Sequence, residues 1–130
     1  MIISVPLFVV LPRKTMQDKK VIINLNNYRN WNFIVNNIIK KKYKEQLENV
    51  LAPLKLKTPI KLTFKLYRAS NRITDRANVL SIHEKFFCDA LTEWNCIEDD
   101  SDEYIQETKY ITGGLDKENP RVEIIIEETK

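Results

Sequence analysis

The spacing of apolar residues along the chain predicts five strands. Between residues 60 and 67 apolar and polar side chains alternate, which is typical of a strand with one buried face. The apolar run near the start of the chain predicts a buried strand. That first strand is residues 2–10, and the other predicted strands are residues 20–25, 103–112 and 122–126, with a connection from Gly113-Gly114 to Pro120 before the last of them.

Helical spacing marks two longer segments. Residues 28–50 place apolar side chains three and four positions apart, which predicts a long amphipathic helix that Pro53 ends. A second helix is expected from Arg76 to Trp94. The order β-β-α-β-α-β-β is typical of an α+β domain with a mixed sheet and two main helices. A chain of 130 residues is long enough for one core, so residues 1–130 are expected to form a single domain.

Charge is unevenly distributed, although the formal net charge is only +3. Basic residues are concentrated in the first two thirds of the chain, and acidic residues between Glu98 and Glu107 and at the C-terminus. A basic surface beside a compact acidic cluster is typical of nucleic-acid binding around a metal ion. An ordinary solvated surface is the alternative interpretation.

The cysteines and the single histidine do not form a recognisable metal site. Cys88, Cys96 and His83 match no zinc-ligand spacing. Both cysteines are expected to be reduced, buried and apolar in character, in a cytoplasmic protein. The apolar run at residues 2–11 is too short to span a bilayer, so no membrane partner is expected.

Carboxylates cluster around the second predicted helix. Asp75 precedes it, Asp99 and Asp100 follow it, and Lys85 lies within it. Mg²⁺ binds through one or two carboxylates plus water and substrate oxygens, and a lysine can offset charge on a scissile phosphate. These residue types indicate a magnesium-dependent phosphodiester hydrolase. The simpler interpretation is that Asp75 caps the helix and that Asp99-Asp100 form a solvated turn.

The sequence from Arg72 to Asp100 resembles the RusA family, the Holliday junction resolvases of phages and prophages. That family's pattern is approximately R-D-x-D-N, then K-x-x-x-D-A-L, then D-D, and its element order is similar to the one predicted here. The matching residues are Asp75 and Asn78, then Lys85 and Asp89-Ala90-Leu91, and finally Asp99 and Asp100.

The resemblance implies a homodimeric endonuclease that uses Mg²⁺ or Mn²⁺ to make symmetric nicks in four-way junction DNA. It implies no small-molecule cofactor. By this resemblance Asp75, Asp99 and Asp100 bind the metal, and Lys85 joins them in catalysis.

Two departures from the family pattern affect this assignment. Ala77 stands where the family has a second catalytic aspartate, so either metal binding is weaker or another acid supplies the missing carboxylate. Glu84 is the nearest candidate substitute, and Asp102 and Glu103 are others. The predicted helix is also one turn longer than the family pattern, so either Lys85 or Ser81 takes the lysine position. The alternative function is a module of the same fold that binds branched DNA and cuts it poorly or not at all.

The predicted helix separates two of the metal-binding candidates. Asp75 and Asp100 flank its ends, roughly 25–30 Å apart at 1.5 Å per residue. We therefore expect two chains to pair with these helices antiparallel, so that Asp75 of one chain meets Asp99-Asp100 of the other. Asp89 lies about 21 Å along the helix from Asp75 and is expected to support the helix.

Basic side chains near this helix are candidates for DNA contacts. Such contacts give salt-dependent affinity with little sequence information. The N-terminus of the helix is a further candidate for a phosphate. The candidate residues are Arg13, Lys14, Lys61, Lys65, Arg68, Arg72 and Arg76.

Overall fold

The computed structural model describes residues 1–71 and 75–129, in which strands and helices are interspersed along the chain. The strands are β1 (Ile2–Pro6), β2 (Phe8–Leu11), β3 (Lys19–Ile22), β4 (Ile60–Arg68), β5 (Ile105–Leu115) and β6 (Arg121–Glu128). The helices are α1 (Leu25–Tyr28), α2 (Phe33–Gln46), α3 (Glu48–Leu51) and α4 (Arg76–Glu93).

The main sheet is mixed, with the strand order β1-β6-β4-β5. Its neighbours are antiparallel except for β4 and β5, which are parallel. Parallel strands need a long crossover, and α4 supplies it between β4 and β5. Strands β2 and β3 form a separate antiparallel pair. The predicted α+β class with a mixed sheet is confirmed.

The core lies between one face of the main sheet and α4. Ile60, Leu62, Phe64 and Leu66 of β4 are buried on this face, as their alternation predicts. The ring of Phe64 meets Phe87 of α4 edge-on, with 6.0 Å between centroids. The sheet face opposite α4 is half-buried, and it carries the intervening polar residues of β4.

The predicted first strand is in fact two strands. Residues 2–10 divide at Leu7, so that β1 pairs with β6 and β2 pairs with β3. Pro6 ends β1, and proline has no N–H to continue a ladder. The Leu7 carbonyl accepts a hydrogen bond from Ile23 N at 2.9 Å instead. An apolar run in a sequence does not show that its two halves pair with different strands.

The predicted helix over residues 28–50 is also wrong as a single element, because α1, α2 and α3 occupy this region. Asparagine side chains cap the first two of these helices, and Asn32 lies within the predicted segment. Asn24 accepts a hydrogen bond from Asn27 N at 2.8 Å, and Asn32 accepts one from Val35 N at 2.9 Å. Asparagine at such positions satisfies the first free N–H groups of a helix, so each one sets a boundary.

The predicted connection from Gly113 to Pro120 begins later than expected, because Gly113 and Gly114 lie within β5, which continues to Leu115. Gly113 is covered by the Tyr67 ring, and a Cβ atom at this position would lie 2.8 Å from that ring. Gly114 has a φ of 120°, which side chains rarely allow. Gly113 therefore allows the Tyr67 ring to pack directly against the backbone, and both glycines lie beside the register shift between Leu66 and Tyr67. The connection between β5 and β6 is formed by residues 116–120.

Candidate functional site

Asp75 is the N-cap of α4. Its carboxylate accepts a hydrogen bond from Ala77 N at 3.0 Å, and the side chain is otherwise exposed. The capping role expected as the simpler interpretation of Asp75 is thus observed. Capping leaves the second carboxylate oxygen available, so it is compatible with a further role at a metal ion.

Asn78 links α4 to α1. Its side-chain oxygen accepts hydrogen bonds from Leu25 N at 3.0 Å and from Asn26 N at 3.4 Å. These are N–H groups of the first turn of α1, which have no partner within that helix. The asparagine of the resolvase-like pattern therefore fixes the position of α1 against α4.

We expect Asp75→Asn to leave the free energy of unfolding nearly unchanged, whereas Asp75→Ala lowers it by about 1 kcal/mol. Asparagine caps helices as well as aspartate does, but alanine accepts no hydrogen bond. Urea denaturation of both variants measures this difference. Equal destabilisation would show that the charge of Asp75, acting on the helix dipole, is what stabilises α4.

A groove of about 450 Å³ lies between α4, the loop that follows it, and β5. It brings together three of the residues named from the sequence, Glu84, Lys85 and Asp100. Lys85 is exposed, and Ser81, the alternative for the lysine position, also lines this groove. The groove also contains Cys88, Asp89, Asp102 and Tyr110.

Asp100 reaches this groove because the chain reverses after α4. Asn95 has a φ of 60°, and the N–H groups of Asn95 and Cys96 bond to the Thr92 and Leu91 carbonyls at 3.0 and 2.8 Å. This is the Schellman arrangement that commonly ends a helix, here with asparagine in the left-handed position. Cys96 is then buried, and its thiol donates to the Leu51 carbonyl at 3.1 Å.

The reversal corrects the expected position of Asp100. The loop does not stay beyond the end of α4, because Asp100 lines cavities together with Asp89 and Cys88. Asp75 is still about 21 Å from Asp89 along the helix axis. Asp75 and Asp100 of one chain therefore cannot hold the same ion, and their meeting across a dimer stays a prediction.

Asp99 points to different neighbours from Asp100. It is exposed, and its charge acts on Tyr104. The pKa of Tyr104 rises to about 12, chiefly because its hydroxyl donates a hydrogen bond to Glu98 at 2.7 Å. Of the closing Asp-Asp pair, only Asp100 lines the groove described above.

Negative charge accumulates around Cys88. Burial raises the pKa of its thiol to about 12, and the carboxylates of Glu84, Asp100 and Asp89 raise it further. The thiol is therefore protonated and unreactive at neutral pH. Both cysteines are free and buried, as expected from the sequence. The same three carboxylates make the groove attractive to a cation.

Tyr110 of β5 orients Glu84. Its hydroxyl donates a hydrogen bond to the Glu84 carboxylate, and burial together with this bond raises the pKa of Tyr110 well above its usual value. Sequence reasoning did not identify Tyr110. Its position directly beside Phe64 in the parallel pair of strands shows that it faces α4, but that register is not readable from the sequence.

The donor chemistry of the groove suits a hard divalent cation. Glu84 and Asp100 supply carboxylate oxygens, and Mg²⁺ or Mn²⁺ completes its coordination with water and substrate. Within residues 1–71 and 75–129, no group of three His, Cys, Asp or Glu side chains is arranged to hold a metal. Glu84 and Asp100, which line the same groove, are the two sequence-named carboxylates whose oxygens could contribute to such a site.

The predicted DNA-contact residues are dispersed. Lys61 and Lys65 lie on the sheet face opposite α4, away from the Asp100 groove. Arg13 lies between β2 and β3, where its side chain donates to the Gln17 carbonyl at 2.7 Å. Lys14 is in the same connection, Arg68 ends β4, Arg76 begins α4, and Arg72 lies outside the described residues.

Comparisons with protein-family models and with curated proteins find no match to this chain. None of the described helices combines the length and apolar character needed to cross a membrane.

Proposed function

We propose that the chain is a Mg²⁺- or Mn²⁺-dependent endonuclease that nicks four-way DNA junctions in phage or prophage recombination. The observation that supports this most directly is the convergence of Glu84, Lys85 and Asp100 on one groove. The resemblance of residues 72–100 to the RusA family supplies the substrate class.

Four groove residues have a role in this proposal. Glu84 and Asp100 would hold the ion, which would supply activation of water and relief of negative charge on the phosphate. Tyr110 keeps the Glu84 carboxylate directed into the groove. Lys85, exposed at the groove, offsets charge on the scissile phosphate or the leaving oxygen. In this proposal Glu84 supplies the carboxylate that the family's second catalytic aspartate provides at the position of Ala77.

The proposal includes a two-fold homodimer. Two active sites related by a two-fold axis match the symmetry of a four-way junction, so both strands are cut together. If the α4 helices of two protomers pair antiparallel, Asp75 of one protomer approaches Asp100 of the other. The exposed position of Asp75 at the start of α4 is compatible with this pairing.

A nicking assay on a labelled four-way junction tests the proposal. The wild-type protein is expected to make paired symmetric nicks with Mg²⁺ or Mn²⁺ and none with EDTA. Asp100→Asn is expected to abolish them. Glu118→Gln, a matched loss of one exposed carboxylate in the 116–120 connection, is expected to cut like the wild type. Undiminished nicking by Asp100→Asn would contradict the proposed site.

Tight junction binding without nicks in either metal would support the second candidate, a module that recognises branched DNA. Two observations favour that candidate. Ala77 provides no carboxylate at the start of α4, and no three-acid metal group occurs in the described parts of the chain. Absence of junction binding at low salt would exclude both candidates.

A further inference from the structure

Helix α2 carries four lysines within five residues, and they lie on two sides of the helix. Lys40, Lys41 and Lys44 line a groove of about 270 Å³ between α2 and α4. Lys42 lines a different cavity, beside Pro6, Phe8 and Val10 of the first two strands. The sequence shows only a run of lysines, whereas the structure divides them into a set of three and a single one.

The groove that contains the three lysines leads to the carboxylate groove. A cavity of about 420 Å³ has Lys40 and Asp100 in its lining, so it borders both grooves. Asp89 lines all three spaces. The three cavities are therefore neighbours along α4, and we call this row of cavities from the lysines to Asp100 the channel.

Ion pairs across this channel orient two of the lysines. Lys40 lies 2.7 Å from Asp89, and Lys44 lies 3.2 Å from Glu93. Both pairs are partly exposed, so they are weak and their lysines can exchange the carboxylate for another anion. Lys41 is exposed and has no acidic partner in residues 1–71 and 75–129.

Position and charge distinguish the α2–α4 groove from the other lysine-bearing surface. Three lysines against Asp89 and Glu93 leave this groove with an excess of one positive charge. On the sheet face opposite α4, Lys61 and Lys109 share Glu107 at 4.0 and 3.1 Å, and Glu123, the cross-strand neighbour of Lys65, is paired with Arg121 at 2.9 Å. That face lies on the other side of the sheet from the Asp100 groove, so its lysines do not line a path to that groove.

We propose that Lys40, Lys41 and Lys44 bind the sugar–phosphate backbone of the DNA strand that enters the Asp100 groove. This inference rests on the proposed function, because it assigns the path of the substrate to the same site. Lys40 and Lys44 are one helical turn apart, about 6 Å. One strand of duplex DNA presents a phosphate every 3.4 Å or so along the axis, so the two lysines reach different phosphates.

Salt-dependent binding of Lys41→Gln and Lys42→Gln tests this path. The two lysines are adjacent in the sequence and differ in the groove that they line. The affinity for a fluorescent four-way junction is measured by anisotropy in EDTA, at several salt concentrations. Loss of one phosphate contact is expected to reduce the slope of log affinity against log salt by about 0.9, and to weaken binding about eightfold near 0.1 M salt. Lys42→Gln is expected to bind like the wild type.

The outcomes separate this inference from the proposed function. Equal losses in both variants, or no loss in either, would overturn the α2 path while the wild type still binds and nicks junctions. A wild-type protein that binds no junction at low salt would overturn both proposals. Restoration of the slope by Lys41→Arg would support a direct phosphate contact, since arginine keeps the charge.

Discussion

Lowering the pH from about 7 to about 4 is expected to remove about 3 kcal/mol of folding stability through His83 alone. Burial lowers the pKa of this fully buried side chain to about 3. An unfolded histidine titrates near 6.5. Between these values the unfolded chain binds a proton that the folded chain does not. The contribution of His83 to the free energy of unfolding is therefore fully present above about pH 6.5 and is lost as the pH falls towards about 3.

The surroundings of His83 explain why it stays neutral. Its Nδ1 shares a hydrogen bond of 2.8 Å with the Tyr43 hydroxyl, and its Nε2 has no partner within the described residues. The Tyr43 ring lies edge-on to both the His83 and Phe86 rings, with 5.5 Å between centroids in each case. Burial, and to a lesser degree Cys88, raises the pKa of Tyr43 well above its ordinary value. The pair is thus a neutral contact between α2 and α4.

A double variant isolates the contribution of His83 from that of the carboxylates. Tyr43→Phe combined with His83→Leu removes both hydrogen-bonding partners, so that no buried polar group is left alone. Urea denaturation is carried out on both proteins at intervals between about pH 7.5 and 4. The difference in unfolding free energy should change by about 3 kcal/mol across this range. Parallel curves would show that folded His83 takes up its proton with an ordinary pKa.

The parts of the fold that were predictable are those set by local periodicity. The alternation of Ile60, Leu62, Phe64 and Leu66 gives β4, because side chains of a strand point to alternate faces. The second helix was expected from Arg76 to Trp94 and is observed from Arg76 to Glu93. Asp75 caps its first turn, and a cap of this kind is recognisable in a sequence.

The parts that were not predictable depend on partners far away in the sequence. The first apolar run divides after Pro6 because β1 pairs with β6, whereas β2 pairs with β3 in a separate sheet. Neither partner strand can be recognised from the run itself. The boundary between α1 and α2 depends on Asn32, whose capping role is one of several that asparagine can have.

The candidate site shows the same limit. Glu84 and Lys85 are neighbours on α4, but Asp100 joins them only because Asn95 adopts the left-handed conformation and reverses the chain. Tyr110 joins them through the parallel pairing of β4 and β5. The residue types in the sequence predict metal-dependent chemistry, but they do not show which side chains lie together. That grouping depends on the left-handed backbone of Asn95 and on the register between β4 and β5.

Glu84→Gln is expected to reduce junction nicking by about 100- to 1000-fold, the equivalent of several kcal/mol of lost transition-state stabilisation. Glutamine keeps an oxygen that accepts the hydrogen bond from Tyr110, so the fold should be unchanged. It lacks the charge that would hold the metal beside Asp100. With Ala77 in place of an aspartate, α4 offers no second acid near Glu84 except Asp89, which is paired with Lys40.

Tyr110→Phe gives an intermediate result in the same assay. The phenylalanine ring fills the same space beside Phe64 but donates no hydrogen bond to Glu84. Loss of such a support typically costs 10- to 100-fold in metal affinity or activity. Nicking should recover at raised Mn²⁺ in Tyr110→Phe, because a misdirected carboxylate still binds metal, but it should not recover in Glu84→Gln.

Glu118→Gln is the matched control, because Glu118 is an exposed acid of the 116–120 connection and does not line the groove. It should cut like the wild type, and calorimetric titration with Mn²⁺ should show weakened binding for Glu84→Gln alone of these two. Wild-type nicking by Glu84→Gln, with loss in Asp100→Asn, would place the second carboxylate elsewhere. Asp102 of the same groove or Asp75 of the opposite protomer would then be the acid that pairs with Asp100.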